Sequence, residues 1–186
     1  MPHTINIKTS PLVQYIFSNT AVAPIWLIVR VYVGWQWLEA GWGKVINPAW
    51  TGATAGTALT GFLNGSLQKM NGAHPDVSAW YGSFITNFAL PHVTIFSYIV
   101  AYGELLVGIG LILGVFTGIA AFFGATMNMN FLLAGAISVN PQLLLLELLL
   151  IFAWRNAGWV GGDRWVLPWL GTPWQSGKEI RGVSHT

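Results

Sequence analysis

The chain contains no cysteine and very few charged side chains. Without cysteine it cannot form a disulfide, a thiolate metal site, an iron–sulfur cluster or a cysteine nucleophile. Charged residues make up 8% of its 186 residues and hydrophobic residues 54%, whereas a soluble domain has about 25% charged residues. The net charge of +2 is too small to indicate a nucleic-acid partner. So few charges cannot cover a soluble globule, but a lipid surface needs no such cover, so the composition predicts an integral membrane protein.

Long apolar runs take the place of the missing charges. Crossing the hydrocarbon core takes about 20 mostly apolar residues, and four stretches meet this length: 24–44, 91–115, 117–138 and 141–158. Short turns separate the last three, which makes them antiparallel neighbours. The sequence therefore predicts an all-α membrane domain, residues 1–186, built as a bundle of four transmembrane helices.

Basic residues are concentrated at the two ends of the chain, at Lys8, Arg155, Arg164, Lys178 and Arg181. By the positive-inside rule, both termini lie in the cytoplasm and the protein is multi-pass in a prokaryotic cell membrane. Residues 45–90 then form an extracytoplasmic loop, and 159–186 form a cytoplasmic tail with Trp anchors. Two helical stripes make the loop partly helical; either two interfacial helices or a packed cap fits them.

Ionisable side chains inside a span are costly and often mark function. Counting along each predicted helix places Arg30, Glu104 and Asn128 in an inner layer, and Glu39, Lys44 and Glu147 in an outer layer. Arg30, Trp37 and Lys44 share one face of the first helix with two glycines, and Glu39 points the other way, toward a partner subunit or another helix. An Arg30–Glu104 pair either ties two helices together or faces a ligand.

Glu147 interrupts a leucine run, LLLLELLL, and is either a structural acid bonded to a neighbouring helix or a group that takes up and releases protons. Asn128 is mainly predicted to have a structural role, as a polar side chain that bonds one helix to its neighbour. His92 is an interfacial or a proton-handling histidine. No histidine lies inside a span, so we expect no haem. No Gly-rich nucleotide turn and no metal-ligand cluster is present, so we expect no flavin and no metal.

Four segments in order carry a resemblance to a known family: RVYVGWQWLEAGWGKVINPAW, YGELLVGIGLILGVFTG, FFGATMNMNFLLAGAISVNPQ and IFAWRNAGWVGGDRW. They resemble the DoxX/DoxD family of small four-helix membrane proteins, and more narrowly the DoxD-type subunit of thiosulfate:quinone oxidoreductase. The resemblance covers about residues 24–165. It implies oxidation of thiosulfate to tetrathionate at the outer face, with membrane quinone as the electron acceptor. It also implies a separate DoxA-like partner subunit or a larger redox complex.

On this reading, Arg30 and Lys44 attract the anion and Glu104 orients it or moves protons. Asn128 and His92 complete the substrate-binding group. For the quinone we expect Glu147 with Trp37 and Trp42.

The alternative is a non-catalytic anchor or assembly subunit of a respiratory or redox complex, with the outer loop as its docking surface. A homo-oligomer is compatible with either function. A small transporter is less favoured, because the sequence shows no internal repeat.

Overall fold

Helices account for all the regular secondary structure in the part of the chain that the computed structural model describes, residues 9–170. The predicted all-α class is confirmed. A 3₁₀ turn (Thr20–Val22) precedes the second helix and a π-helical turn (Ile85–Ala89) follows the fifth. The α-helices are α1 (Pro11–Ser18), α2 (Ala23–Val45), α3 (Pro48–Thr51), α4 (Thr57–Gln68), α5 (Ala79–Phe84), α6 (Val93–Leu113), α7 (Thr117–Leu133), α8 (Asn140–Phe152) and α9 (Asp163–Trp169).

The antiparallel pair α2 and α6 forms the centre of the fold. A side chain on Gly41 would collide with the backbone of Leu105, and one on Gly108 with the backbone of Leu38. Glycine at these two positions therefore lets the two helix backbones touch, as is usual between helices in lipid. The stretches Thr20–Val45 and Val93–Leu113 are both long and apolar enough to cross a membrane.

Helices α7 and α8 are apolar but end earlier than predicted. α7 ends at Leu133 instead of residue 138, because Gly135 and Ser138 adopt positive φ angles of 72° and 38°. α8 ends at Phe152 instead of residue 158. There the chain turns, and the buried Asn156 side chain donates hydrogen bonds to two carbonyl groups at the end of α1. The predicted C-terminal limits of these two helices were therefore wrong.

The segment between α2 and α6 is a packed cap with its own apolar core. Leu59 and Leu63 from α4 pack there with Val77, Tyr81 and Ile85. Tyr81 donates a hydrogen bond of 3.0 Å to the carbonyl of Asn130 on α7, and burial raises the pKa of the Tyr81 hydroxyl. Of the two interpretations left open for this segment, the structure favours the packed cap.

The first and last described helices pack at the opposite end of the bundle from this cap. α1 was not predicted; it is held by Trp26, whose Nε1 donates to the carbonyl of Ile16 at 2.9 Å. α9 carries Trp165 and Trp169, which are 70% and 84% exposed. The rest of the predicted cytoplasmic tail, 171–186, lies outside the described residues, as do residues 1–8.

Candidate functional site

The buried acidic and basic side chains of residues 9–170 lie in three clusters along the bundle, not in the two layers predicted. One contains an ion pair, one a carboxyl group bonded only to neutral donors, and one an arginine with a capping aspartate. We name them the ion-pair cluster (Lys44, Trp50, Glu104), the carboxyl cluster (Trp37, Asn128, Glu147) and the arginine cluster (Arg30, Val160, Asp163).

In the ion-pair cluster, Lys44 Nζ lies 2.5 Å from Glu104 Oε2. Glu104 is 1% exposed and Lys44 21%, so the carboxylate is sealed in the bundle while the lysine reaches its edge. Lys44 Nζ also lies 5.2 Å from the ring centroid of Trp50. The partner of Glu104 is therefore Lys44, and the predicted Arg30–Glu104 pair and the inner layer containing it were wrong.

The error has a simple geometric cause, the relative height of α2 and α6. The first turns of α6 lie beside α3, beyond the end of α2: Ser97 Oγ donates to the Trp50 carbonyl at 2.6 Å and Tyr98 Oη to the Thr51 carbonyl at 2.8 Å. Glu104, in the middle of α6, is therefore level with the C-terminal end of α2. Arg30 lies about 21 Å further along α2, at about 1.5 Å per residue. One small anion cannot contact both Arg30 and Lys44.

In the carboxyl cluster, Glu147 is fully buried and both of its carboxyl oxygens accept a hydrogen bond. Trp37 Nε1 donates to Oε1 at 2.5 Å and Asn128 Nδ2 donates to Oε2 at 2.7 Å. Gly124 of α7 provides the space for the Glu147 carboxyl group, because a side chain at this position would collide with it. Asn128 thus belongs with Glu147 and not with Arg30 and Glu104.

The chemistry of Glu147 differs from that of Glu104. The one ion pair found among residues 9–170 is Lys44–Glu104, and both hydrogen-bond donors to Glu147 are uncharged. Protonation of Glu104 would leave Lys44 without its counter-charge. Glu147 can gain or lose a proton without breaking an ion pair, which is what a proton-exchanging group requires.

In the arginine cluster, Arg30 is 1% exposed and its Nη2 donates to the carbonyl of Val160 at 2.7 Å. Asp163 supplies the nearby negative charge. The Asp163 carboxylate accepts hydrogen bonds from the backbone N–H groups of Phe116 (2.6 Å) and Thr117 (2.9 Å), at the start of α7. This is the position where a carboxylate stabilises a helix N-terminus. Arg30 therefore joins the segment after α8 to the bundle.

Two predicted site residues lie away from all three clusters. His92 is exposed at the start of α6, and its Nδ1 donates to the Phe88 carbonyl at 2.9 Å. Trp42 is 58% exposed, on the face of α2 opposite the buried Trp37. The structure brings Trp37 to Glu147, but it does not bring Trp42 there or His92 to Lys44. Trp50 and Asp163 were not predicted as site residues, because no local pattern in the sequence links them to residues on distant helices.

A groove of about 1300 Å³ opens between α1 and the C-terminal part of α8. Phe17, Leu149 and Phe152 form its apolar side, and Gln14 and Arg155 are among its polar groups. A smaller cavity of about 440 Å³ lies between the start of α7 and α9. Glu147 and Trp37 line neither of the two. Within residues 9–170, no group of three or more His, Asp or Glu side chains is placed to hold a metal ion.

Two helices that are long and apolar enough to cross a membrane carry charged side chains on their buried faces, which indicates a helical membrane protein. The DoxX family model matches residues 25–137, from α2 through α7, and the chain belongs to the DoxX family. No curated protein and no solved structure matches it. The match is to the family as a whole and does not distinguish its DoxD-type members.

Proposed function

We propose that the chain is the membrane subunit of a quinone-linked oxidoreductase of DoxD type. Two thiosulfate ions lose one electron each and join through a new S–S bond to form tetrathionate. A membrane quinone takes up the two electrons with two protons and becomes a quinol. No haem, flavin or metal enters the proposal. The observation that carries it is the carboxyl cluster, in which a buried carboxyl group accepts hydrogen bonds from two neutral donors inside an apolar bundle.

Quinone reduction consumes protons in a medium where water is scarce, so a carboxyl group near the acceptor is useful there. The helix that carries Glu147 on its inner face also forms one wall of the groove between α1 and α8, through Leu149 and Phe152. The groove has an apolar wall, formed by Phe17, Leu149 and Phe152, against which a quinone ring can pack, and its many polar side chains can bond the quinone carbonyl oxygens. We therefore place the quinone in this groove, with Glu147 as a proton reservoir behind it.

The anion requires a cation, and Lys44 is the better candidate in this geometry. It lies at the edge of the bundle beside the cap, and Glu104 holds its amino group in place. Arg30 is sealed at the opposite end and bonded to Val160. The proposal therefore assigns the attraction of thiosulfate to Lys44 and leaves Arg30 outside the substrate site.

The proposal is tested with the purified full-length chain in lipid nanodiscs and a soluble quinone analogue. Thiosulfate, sulfite and sulfide are compared side by side as reductants, and thiosulfate is expected to be the effective one. Glu147→Gln should lower kcat at least about tenfold and leave KM for thiosulfate nearly unchanged, because it removes a proton-exchanging group and not an anion contact. Leu148→Ala, on the exposed face of the same helix, is the control and should retain full turnover.

Two results would count against the proposal. A folded, monodisperse chain that reduces the quinone with none of the three reductants would instead support the non-catalytic anchor. Full turnover by Glu147→Gln would remove the carboxyl cluster from the mechanism even if the wild-type chain were active.

A further inference from the structure

One charged side chain within the α2 span faces away from the bundle. Glu39 is exposed, although it lies inside the stretch Thr20–Val45 that is long and apolar enough to cross a membrane. The contacts of Gly41 with Leu105 and of Gly108 with Leu38 place Glu39 beside the middle part of α6. Ionisable groups at such a depth almost always face the protein interior. A carboxyl group left facing lipid therefore indicates a missing neighbour.

Glu39 does not stand alone on this face. Exposed apolar and aromatic side chains flank it at helical spacing, and a side chain on Gly43 would meet nothing within 4 Å. We call this surface the outer α2 stripe; with Glu39 it comprises Ile28 (72% exposed), Tyr32 (45%), Trp35 (57%), Trp42 (58%) and Ile46 (63%). The stripe matches the contact surface of one further helix.

The charge on the stripe shows which kind of helix fits. A carboxylate at membrane depth is best matched by a single basic side chain, which can also stack on the flanking Trp35 and Trp42 rings. The basic residues of segment 9–170 are all engaged elsewhere: Arg30, Lys44, Lys69, Arg155 and Arg164. A second copy related by a two-fold axis through the stripe would set one Glu39 against another. A second copy is therefore a poor match for this face.

We propose that the outer α2 stripe docks a transmembrane helix of a second protein, and that this helix carries one lysine or arginine level with Glu39 in an otherwise apolar surface. The proposal does not depend on the redox chemistry. It assigns a role to Glu39 and Trp42, which take no part in the three buried clusters.

The test uses fluorescence energy transfer in lipid vesicles between the full-length chain and synthetic helices. Because the chain has no cysteine, Ala73→Cys, in the exposed part of the cap, takes the donor dye. The acceptor probes are leucine–alanine helices of about 20 residues, one with a lysine at its centre and one with leucine there. The lysine helix should bind about tenfold more tightly than the leucine helix, which corresponds to about 1.4 kcal/mol.

Glu39→Gln should abolish the preference for the lysine helix, and Glu39→Asp should retain part of it. Ile99→Gln, a polar substitution on the exposed face of α6, is the control and should leave the preference intact. Equal binding of the two helices, or an unchanged preference in Glu39→Gln, would overturn the proposal. Donor-labelled and acceptor-labelled copies of the chain are also mixed. Energy transfer between them that disappears in Glu39→Gln would overturn the proposal, because the occupant of the stripe would then be a second copy.

Discussion

At the scale of the residue, the ion pair between Lys44 and Glu104 is asymmetric, because Glu104 is sealed and Lys44 reaches the edge of the bundle. Lys44→Met strands a buried carboxylate, and we expect it to cost about 3 kcal/mol of unfolding free energy. Glu104→Gln leaves a lysine that can turn toward Trp50 and water, so it should cost less. The double variant Lys44→Met/Glu104→Leu should recover much of the loss. Denaturant unfolding of the purified variants measures this order.

If Glu104→Gln were the more damaging single change, the burial asymmetry would not control the energetics of the pair. A matched reference is Lys69→Met. Lys69 is exposed and donates to the Gly135 carbonyl outside the bundle interior, so its loss strands no charge.

Helical periodicity predicted correctly which way the α2 side chains face. Arg30, Gly34 and Trp37 are buried and Glu39 is exposed, because a step of about 100° per residue fixes the faces of any straight helix. Periodicity does not fix the height of one helix against its neighbour. That height depends on tertiary contacts such as Ser97 with Trp50, so the partner of Glu104 was not predictable.

At the scale of the element, the N-terminus of α7 is stabilised by a carboxylate from a distant segment. Asp163 accepts two backbone N–H groups at the start of α7 and faces the charge of Arg30. We expect Asp163→Ala to cost about 2–3 kcal/mol of unfolding free energy. The substitution removes the carboxylate that caps the N-terminus of α7, and it leaves the buried Arg30 guanidinium without its nearby counter-charge. Thermal unfolding in detergent provides the measurement.

Arg164→Ala is the control for Asp163→Ala, because the neighbouring Arg164 is exposed and stacks on Trp159. It should unfold close to the wild-type chain. A loss in Arg164→Ala equal to that in Asp163→Ala would mean that the α9 segment as a whole, and not the capping carboxylate, determines the stability of α7.

The end of α8 illustrates what composition cannot predict. Phe152 is followed by AWRNAG, and a count of the length that a span needs runs on through these residues to residue 158. The chain turns earlier because the Asn156 side chain bonds carbonyl groups at the end of α1, and the Val160 carbonyl then meets Arg30. Both contacts join residues more than a hundred positions apart, so no local window contains the signal.

At the scale of the whole molecule, the two ends of α7 lie at the two ends of the bundle. The turn after α7 contacts the cap, where Lys69 Nζ donates to the Gly135 carbonyl at 2.6 Å. The turn before α7 contacts the segment after α8, where the Asp163 N–H donates to the Gly114 carbonyl at 2.7 Å. α7 and α8 therefore run between the same two faces as α2 and α6. The four-span topology stays a prediction, because among the described helices only α2 and α6 are long and apolar enough to cross a membrane, and α8 has only 13 residues.

The predicted four-span topology can be tested with single introduced cysteines, because the chain has no cysteine of its own. Ala73→Cys in the cap and Val160→Cys at the opposite end both replace exposed side chains. In intact cells, a membrane-impermeant thiol reagent should label Ala73→Cys, whereas Val160→Cys should react only after permeabilisation, because the basic chain ends favour the cytoplasmic side. Ile137→Cys, in the turn between α7 and α8, should follow Ala73→Cys if these helices cross the membrane. Labelling of Ile137→Cys together with Val160→Cys would mean that α7 does not span, and the bundle would have to be redrawn with the two long helices alone crossing.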